Sequence, residues 1–275
     1  MPKLRCIFNG VGIMIAQKAR RLIELEAFGI RVPRFAAFTV PCSEDGEISL
    51  LKSLYHDRVS EVVATCKEYV IIRPCLQQED DVKASYAGIL DSPIFHKTCI
   101  DADGFARIVS SVNGDILNNK RIAEYCKKNK IPFSPPSEVS YIVQHFVEGE
   151  SSGIMFTQNP VNRRDEIVIE STIGLNCALT DGIVSPDMYV INKNDLDKYE
   201  ATLGSKKRFA AISDHEIVIE SRSNETNRLS LTERQIKELA LIGIRLQKVY
   251  NAPQDIEWTY SGNKLYILQT RPIVL

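Results

Sequence analysis

The chain has 275 residues, of which 44% are hydrophobic, 25% charged and 8% aromatic. That length and composition fit one large globular domain or two packed ones, and exclude a disordered tail, a collagen-like fibre and a coiled-coil rod. With 34 Lys and Arg against 35 Asp and Glu, the net charge is -1, without the basic excess expected of a protein that coats nucleic acid.

The apolar stretch Cys6–Ala16 resembles a signal core. However, Asn9 interrupts it, and Gln17, Lys18, Arg20 and Arg21 follow where small cleavage-site residues belong, so no cleaved leader is expected. No apolar run reaches the roughly eighteen residues of a membrane span. Seven cysteines, an odd number without any Cys-x-x-Cys, point to reduced thiols in a cytoplasm rather than disulfides or a thiolate zinc site.

The spacing of Ile15, Ala19, Leu22, Ile23 and Ala27 predicts a helix from about Ile15 to Phe28, with Arg20, Arg21 and Glu24 facing out and Gly29 ending it. Phe35–Val40 reads as extended, and Tyr69–Ile72 as a short buried strand followed by a polar loop over Gln77–Lys83. Helices are expected around Phe105–Val112 and Asn119–Lys128, and Pro132, Pro135 and Pro136 mark a boundary between lobes. Strands are expected over Val139–Phe146, Gly153–Phe156 and Ile167–Glu170. Leu231–Val249 is an amphipathic helix capped by Thr232. The chain closes on a hairpin, Ile256–Tyr260 and Leu265–Arg271 around Ser261-Gly262-Asn263. The fold class is α+β in two lobes.

The hairpin carries the densest chemistry. Strand alternation puts Asp255 and Glu257 on one face and Ile256 and Trp258 on the other, with Leu265, Ile267, Gln269 and Arg271 as one row on the returning strand. Gln269 then falls opposite the two carboxylates. Oxygen ligands of that kind suit Mg²⁺ and a neighbouring arginine suits a phosphate; a salt-bridge cluster on a sheet surface is the structural alternative.

Elsewhere, Lys18 lies in the first turns of the N-terminal helix after Gly10-Val11-Gly12, where a phosphate or only solvent could meet it. Arg73 follows the strand Val70–Ile72 and either reads an anion or pairs with Glu79 or Asp80. Ser85-Tyr86-Ala87-Gly88 is a flexible segment able to turn backbone N–H groups toward a phosphate. His56, His96, His145 and His215 show no metal-ligand spacing. His145 reads as a satisfied, partly buried residue.

Taken in order, these fragments resemble the N-terminal nucleotide-binding domain of pyruvate phosphate dikinase and phosphoenolpyruvate synthase, also found in rifampicin phosphotransferase. The residues that carry the resemblance are Lys18-Ala19, Gly29-Ile30-Arg31-Val32-Pro33, Ile72-Arg73, Glu79-Asp80 and Ala84-Ser85-Tyr86-Ala87-Gly88. Downstream they are Val143-Gln144, Ser152-Gly153-Ile154-Met155-Phe156-Thr157, Ile169-Glu170, Gly174-Leu175, Ser185-Pro186-Asp187, Asp255-Ile256-Glu257-Trp258 and Leu268-Gln269-Thr270-Arg271-Pro272.

The resemblance implies an ATP-grasp fold over residues 1–275, with an N-terminal lobe of about 1–135, a C-terminal lobe of about 136–275 and ATP bound between them. By the same resemblance Lys18 and Arg73 hold the ATP phosphates, and Gly88 and Ser92 belong to a loop closing over them. Gln144 lies near adenine, Glu257 and Gln269 coordinate Mg²⁺, and Arg271 holds the transferring phosphate. Three positions depart from the family pattern: Ala16-Gln17 replace two glycines, Pro74-Cys75 replace small hydroxyl residues, and Asn176-Cys177 replace Gly-Glu.

In relatives a histidine on a mobile domain accepts the phosphoryl group, and no histidine here has that domain's sequence context. The implied function is therefore an ATP- and Mg²⁺-dependent phosphotransferase component. It would pass a phosphoryl or pyrophosphoryl group to a histidine-bearing partner protein in trans, without nucleic acid or membrane. The alternatives are a small-molecule kinase or ATP-driven activating enzyme, and a non-catalytic nucleotide-binding subunit.

Overall fold

The computed structural model describes residues 16–43, 48–76, 80–81, 84–85, 90–120, 124, 127–128, 136–221 and 227–273. Its contacts divide the chain into two units, Met1–Ala27 with Pro33–Phe146, and Phe28–Val32 with Val147–Leu275.

The first unit opens with α1 (Gln17–Ala27), which buries Ala19, Leu22 and Leu25. The buried stripe differs from the expected one: Ile23 is half-buried and Ala27 exposed, because Leu25, three residues after Leu22, lies closer to the inner face. After β1 (Phe35–Pro41) come α2 (Ile48–Leu54), one π turn (Tyr55–Val59) and α3 (Ser60–Thr65). The following strand, β2 (Tyr69–Cys75), runs three residues beyond the expected Ile72. A minimal antiparallel pair, β3 (Asp80–Asp81) and β4 (Ala84–Ser85), precedes β5 (Ile94–His96).

The expected helix Phe105–Val112 is the middle of a longer α4 (Ala102–Leu117), begun by Asp101, whose Oδ1 accepts the Gly104 N–H at 2.7 Å. The helix continues through Asn113 because that buried amide oxygen accepts the Tyr141 hydroxyl at 2.6 Å. Burial pushes the Tyr141 phenol up, so it stays a donor. Of the helix expected over Asn119–Lys128, residues 120, 124, 127 and 128 are described and helical, and residues 121–123 and 125–126 lie outside the described residues. So do Pro132 and Pro135. The next strand, β6 (Glu138–His145), pairs with both β1 and β2. The units therefore divide at Phe146/Val147 rather than near 135.

Among the described residues this unit's strands form an antiparallel sheet in the order β1-β6-β2-β5. Phe38, Ile72, Tyr141 and Val143 face a core that α4 closes with Phe105 and Val109. Phe38 stacks on Tyr141 and meets Phe105 edge-on, with both ring centroids 5.7 Å away.

The second unit consists of β7 (Ser151–Phe156), β8 (Glu166–Ile173), a one-turn α5 (Cys177–Thr180), β9 (Asp187–Asn192), β10 (Tyr199–Thr202) and the hairpin β11 (Arg208–Ser213) and β12 (Glu216–Ser221). It ends with α6 (Glu233–Tyr250), β13 (Gln254–Ser261) and β14 (Lys264–Pro272). The main sheet is antiparallel in the order β10-β9-β8-β7-β13-β14. The expected Thr232 cap is a full capping box: Thr232 Oγ1 accepts the Gln235 N–H, and Gln235 Oε1 accepts the Thr232 N–H. α6 packs on the Met155 face of the sheet, where Gly243 leaves room for the Met155 sulfur, and Tyr260 donates to Glu238 Oε2 at 3.1 Å. Gly29 adopts φ 72, as expected of a helix-ending residue. Just beyond it, Phe28–Val32 runs beside β14: Arg31 C=O accepts the Ile267 N–H at 2.9 Å, and Arg245 donates to Phe28 C=O at 2.5 Å.

A fully buried ion pair ties this unit together. Asp187 Oδ1 accepts from Lys206 Nζ and from the Gly204 N–H at 2.8 Å; its Oδ2 accepts the Ser230 N–H at 2.7 Å and the Ser230 hydroxyl at 2.6 Å. The carboxylate thus joins β9, the loop before β11 and the entry to α6. An Asp187→Asn variant strands a buried ammonium, and we expect a loss of about 3–5 kcal/mol, read as a lower urea midpoint with an unchanged m-value.

Candidate functional site

The terminal hairpin sets the register that the site needs. Asp255 pairs with Arg271 and Glu257 with Gln269, whereas Trp258 pairs with Ile267 and Tyr260 with Leu265. One extra residue, Leu268, sits in β14 between those two sets. Directly paired residues share a face, so Gln269 and Arg271 stand with the carboxylates while Leu265 and Ile267 stand with Trp258. The expected single row of Leu265, Ile267, Gln269 and Arg271 is thus two rows on opposite faces. The cause is a β-bulge, which shifts the alternation by one position.

On the acidic face, Asp255 Oδ2 accepts from Arg271 Nε at 2.9 Å and Nη2 at 2.8 Å. Two donors on one oxygen fix the guanidinium plane. The adjacent strands continue the rows. Glu257 pairs with Ile154, and Ile154 with Glu170; Asp255 pairs with Phe156, and Phe156 with Val168. Glu170 is therefore a third carboxylate on the face that carries Glu257, Gln269 and Arg271.

Burial is the main reason that both the Glu170 and Asp255 carboxyls rise above the usual range. Asp255 adds to the rise at Glu170, while at Asp255 the Arg271 guanidinium partly opposes it and Glu257 reinforces it. Close packing behind the face depends on Gly153. A Cβ there would lie 1.9 Å from the Glu170 carbonyl oxygen and 2.7 Å from the Trp258 ring.

In the first unit, the sheet face opposite the core carries the other candidates. Arg73 pairs with Ile142, and Gln144 pairs with both Phe35 and Ile71. Ile142 and Gln144 are two apart on β6, so Arg73 and Gln144 share a face in neighbouring rows. Arg73 sits inside β2, not at a strand end as expected; Glu79 and the side chain of Asp80 lie outside what is described. On the same face, the Ala16 N–H donates to Ser140 Oγ at 3.1 Å, which anchors the start of α1 and with it Lys18, a half-buried residue of the first turn.

Gln144 is 2% exposed, and its Nε2 makes no hydrogen bond among the described residues. A buried amide donor without an acceptor calls for an explanation. Next to it, His145 Nε2 meets the Val62 carbonyl at 2.8 Å, and burial lowers its pKa, so it is a neutral packed residue. Ser92 is exposed, in the segment before β5. Gly88 lies outside the described residues. In the second unit, burial raises the Cys177 thiol, with Asp181 adding to the effect, which leaves this position uncharged.

Residues 46–275 match the family of the pyruvate phosphate dikinase AMP/ATP-binding domain, and the chain belongs to that family, with the α+β ATP-grasp class it defines. It is 28% identical to a probable phosphoenolpyruvate synthase of Methanocaldococcus jannaschii, over 99% of this chain and 22% of that protein. It is 30% identical to the rifampicin phosphotransferase of Bacillus cereus, over 74% of this chain and 23% of that protein. Among solved structures, the D-alanyl-alanine synthetase A of Vibrio cholerae aligns over 92% of this chain and 54% of its own with a TM-score of 0.41 and 9% identity. The chain spans less than a quarter of the length of the two enzymes named above.

Glu170 was not singled out for its chemistry from the sequence. Its strand is legible there, but the sheet order that sets β8 two strands from β13 is not. Because the folded state raises the Glu170 and Asp255 carboxyls, their protonated forms stabilise it. That contribution is full at acid pH and fades as pH rises through the raised values. Replacing Glu170 by Gln should therefore raise Tm relative to wild type at pH 7 and leave it unchanged near about pH 4, measured by calorimetry across that range.

Proposed function

We propose that the chain is an ATP- and Mg²⁺-dependent phosphotransferase component that passes a phosphoryl or pyrophosphoryl group to a histidine of a partner protein. Its place is the cytoplasm, the compartment that an odd cysteine count without any Cys-x-x-Cys points to. The observation that carries the reading is the hairpin register, which opposes Glu257 to Gln269 and Asp255 to Arg271.

That donor set fits Mg²⁺. Two hard oxygen donors on neighbouring strands leave coordination positions for water and phosphate oxygens, the arrangement magnesium favours over an all-protein cage. No group of three or more His, Cys, Asp or Glu gathers around one point among the described residues. When bound, the ion neutralises phosphate charge and so favours transfer.

The protein's own groups supply the rest. Lys18 and Arg73 hold the phosphates as fixed cations. Gln144 offers its Nε2 to an acceptor nitrogen of adenine, which gives that buried donor a partner. Ser92 and Gly88 belong to the loop over the phosphates. Arg271, aligned by Asp255, meets the group in transfer, and its charge stabilises the spread negative charge of the transition state. The acceptor imidazole forms the new P–N bond as the P–O bond to ADP, or to AMP for a pyrophosphoryl group, breaks.

Incubating the chain with Mg·ATP, alone and with a histidine-bearing swivel protein, tests this reading. Nucleotide product that appears only with the partner supports it. ADP formation stimulated by a metabolite alone would replace it with a small-molecule kinase, and binding without turnover in any mixture with a nucleotide-binding subunit. Arg271→Ala and Glu257→Gln should each slow transfer by about 10²–10³ while the chain still unfolds in one cooperative transition by calorimetry. Lys18→Ala should weaken ATP binding roughly tenfold in titration calorimetry.

A further inference from the structure

One charged group on the site face has no role in this scheme. Glu170 lies in the row Met188, Glu170, Ile154, Glu257, Gln269 across strands β9, β8, β7, β13 and β14. The strand β7 separates its backbone from that of Glu257, a distance of about 9.5 Å, and Ile154 fills the interval. Phe156, in the next row, and Met188, across β9, continue an accessible apolar surface around the carboxylate. The fold retains this carboxyl although both its burial and the Asp255 carboxylate disfavour its ionisation. A group kept against stability marks a functional position.

We propose that Glu170 recognises the ribose of the bound nucleotide by accepting hydrogen bonds from its 2′- and 3′-hydroxyls. The inference rests on the nucleotide reading above. Glu170 is not a third ligand of an ion between Glu257 and Gln269, since the whole width of β7, with Ile154, lies between it and Glu257. A carboxylate facing phosphates would repel them, and the ring nitrogens of adenine are acceptors. What remains are the ribose hydroxyls and the adenine amino group. Glu170 shares its row with the pair assigned to the metal, so its offset matches the sugar next to the phosphates rather than the more distant base. Ile154 and Phe156 then underlie the sugar's carbon face.

The test compares ATP, 2′-deoxyATP, 3′-deoxyATP and ITP by titration calorimetry with Mg²⁺, on wild type, E170Q and E170A. Wild type should bind ATP roughly ten- to hundredfold more tightly than either deoxy analogue, the range for hydrogen bonds to a charged group. E170A should bind ATP and both deoxy analogues alike, with E170Q between them and discrimination against ITP unchanged. Sugar discrimination retained in E170A overturns the proposal. So does a variant that loses only its ITP discrimination or its Mg²⁺ dependence, because the carboxylate would then serve the base or the ion. If wild type binds none of the nucleotides, the nucleotide reading itself falls, a result distinct from intact ATP binding with unaltered sugar preference.

Discussion

A single inserted residue in the last strand governs the chemistry of the second unit. If β14 ran regularly through Leu268, without the bulge, strand alternation would keep Leu265, Ile267, Gln269 and Arg271 on one face. Either two aliphatic side chains would leave the core or the amide and guanidinium would enter it. The bulge removes that conflict. Trp258, Tyr260, Leu265 and Ile267 stay buried, and four polar side chains face the other way in two direct pairs. Arg271 can then be aligned by two hydrogen bonds to one oxygen of Asp255.

The first unit solves a related problem with less polar material. Its sheet commits one face to helices α2–α4 and leaves the other to Arg73, Gln144 and the anchored start of α1. Gln144 illustrates the cost. Its amide is held in a nearly dry position with one donor unsatisfied, an arrangement that disfavours the empty state and favours a ligand that carries an acceptor. The second unit shows the same logic in Glu170 and Asp255: burial disfavours the charge on each, reinforced at Glu170 by Asp255 and at Asp255 by Glu257.

Much of this was legible in the chain itself, for local reasons. Helix α6 announces itself through its apolar period and the Thr232–Gln235 box, and the hairpin through Ser261-Gly262-Asn263 between alternating strands. Both depend on neighbours within a few positions. What stayed hidden depends on distant partners. The length of α4 is decided by Tyr141, which satisfies a polar Asn113 that would otherwise end the pattern. The bulge at Leu268 leaves no mark in composition. The strands β10, β11 and β12 were not foreseen because exposed pairs such as Glu216 with Ser213 bury too little to show alternation. Departures at Pro74-Cys75 and Asn176-Cys177 were plain in the sequence, but their meaning was not: Cys177 proves to be a neutral thiol in a half-buried turn.

The short run Phe28–Val32 has a further consequence for how the molecule can be divided. It comes from the beginning of the chain, yet its Arg31 carbonyl bonds to β14, near the chain's other end. A fragment cut at Val147 would thus keep every strand of the larger sheet but lose that borrowed cover. The outer rim of β14 would then offer backbone donors to any extended peptide it met. The two halves are interlaced by sequence, and a soluble piece of the second requires that early segment to be grafted back onto it.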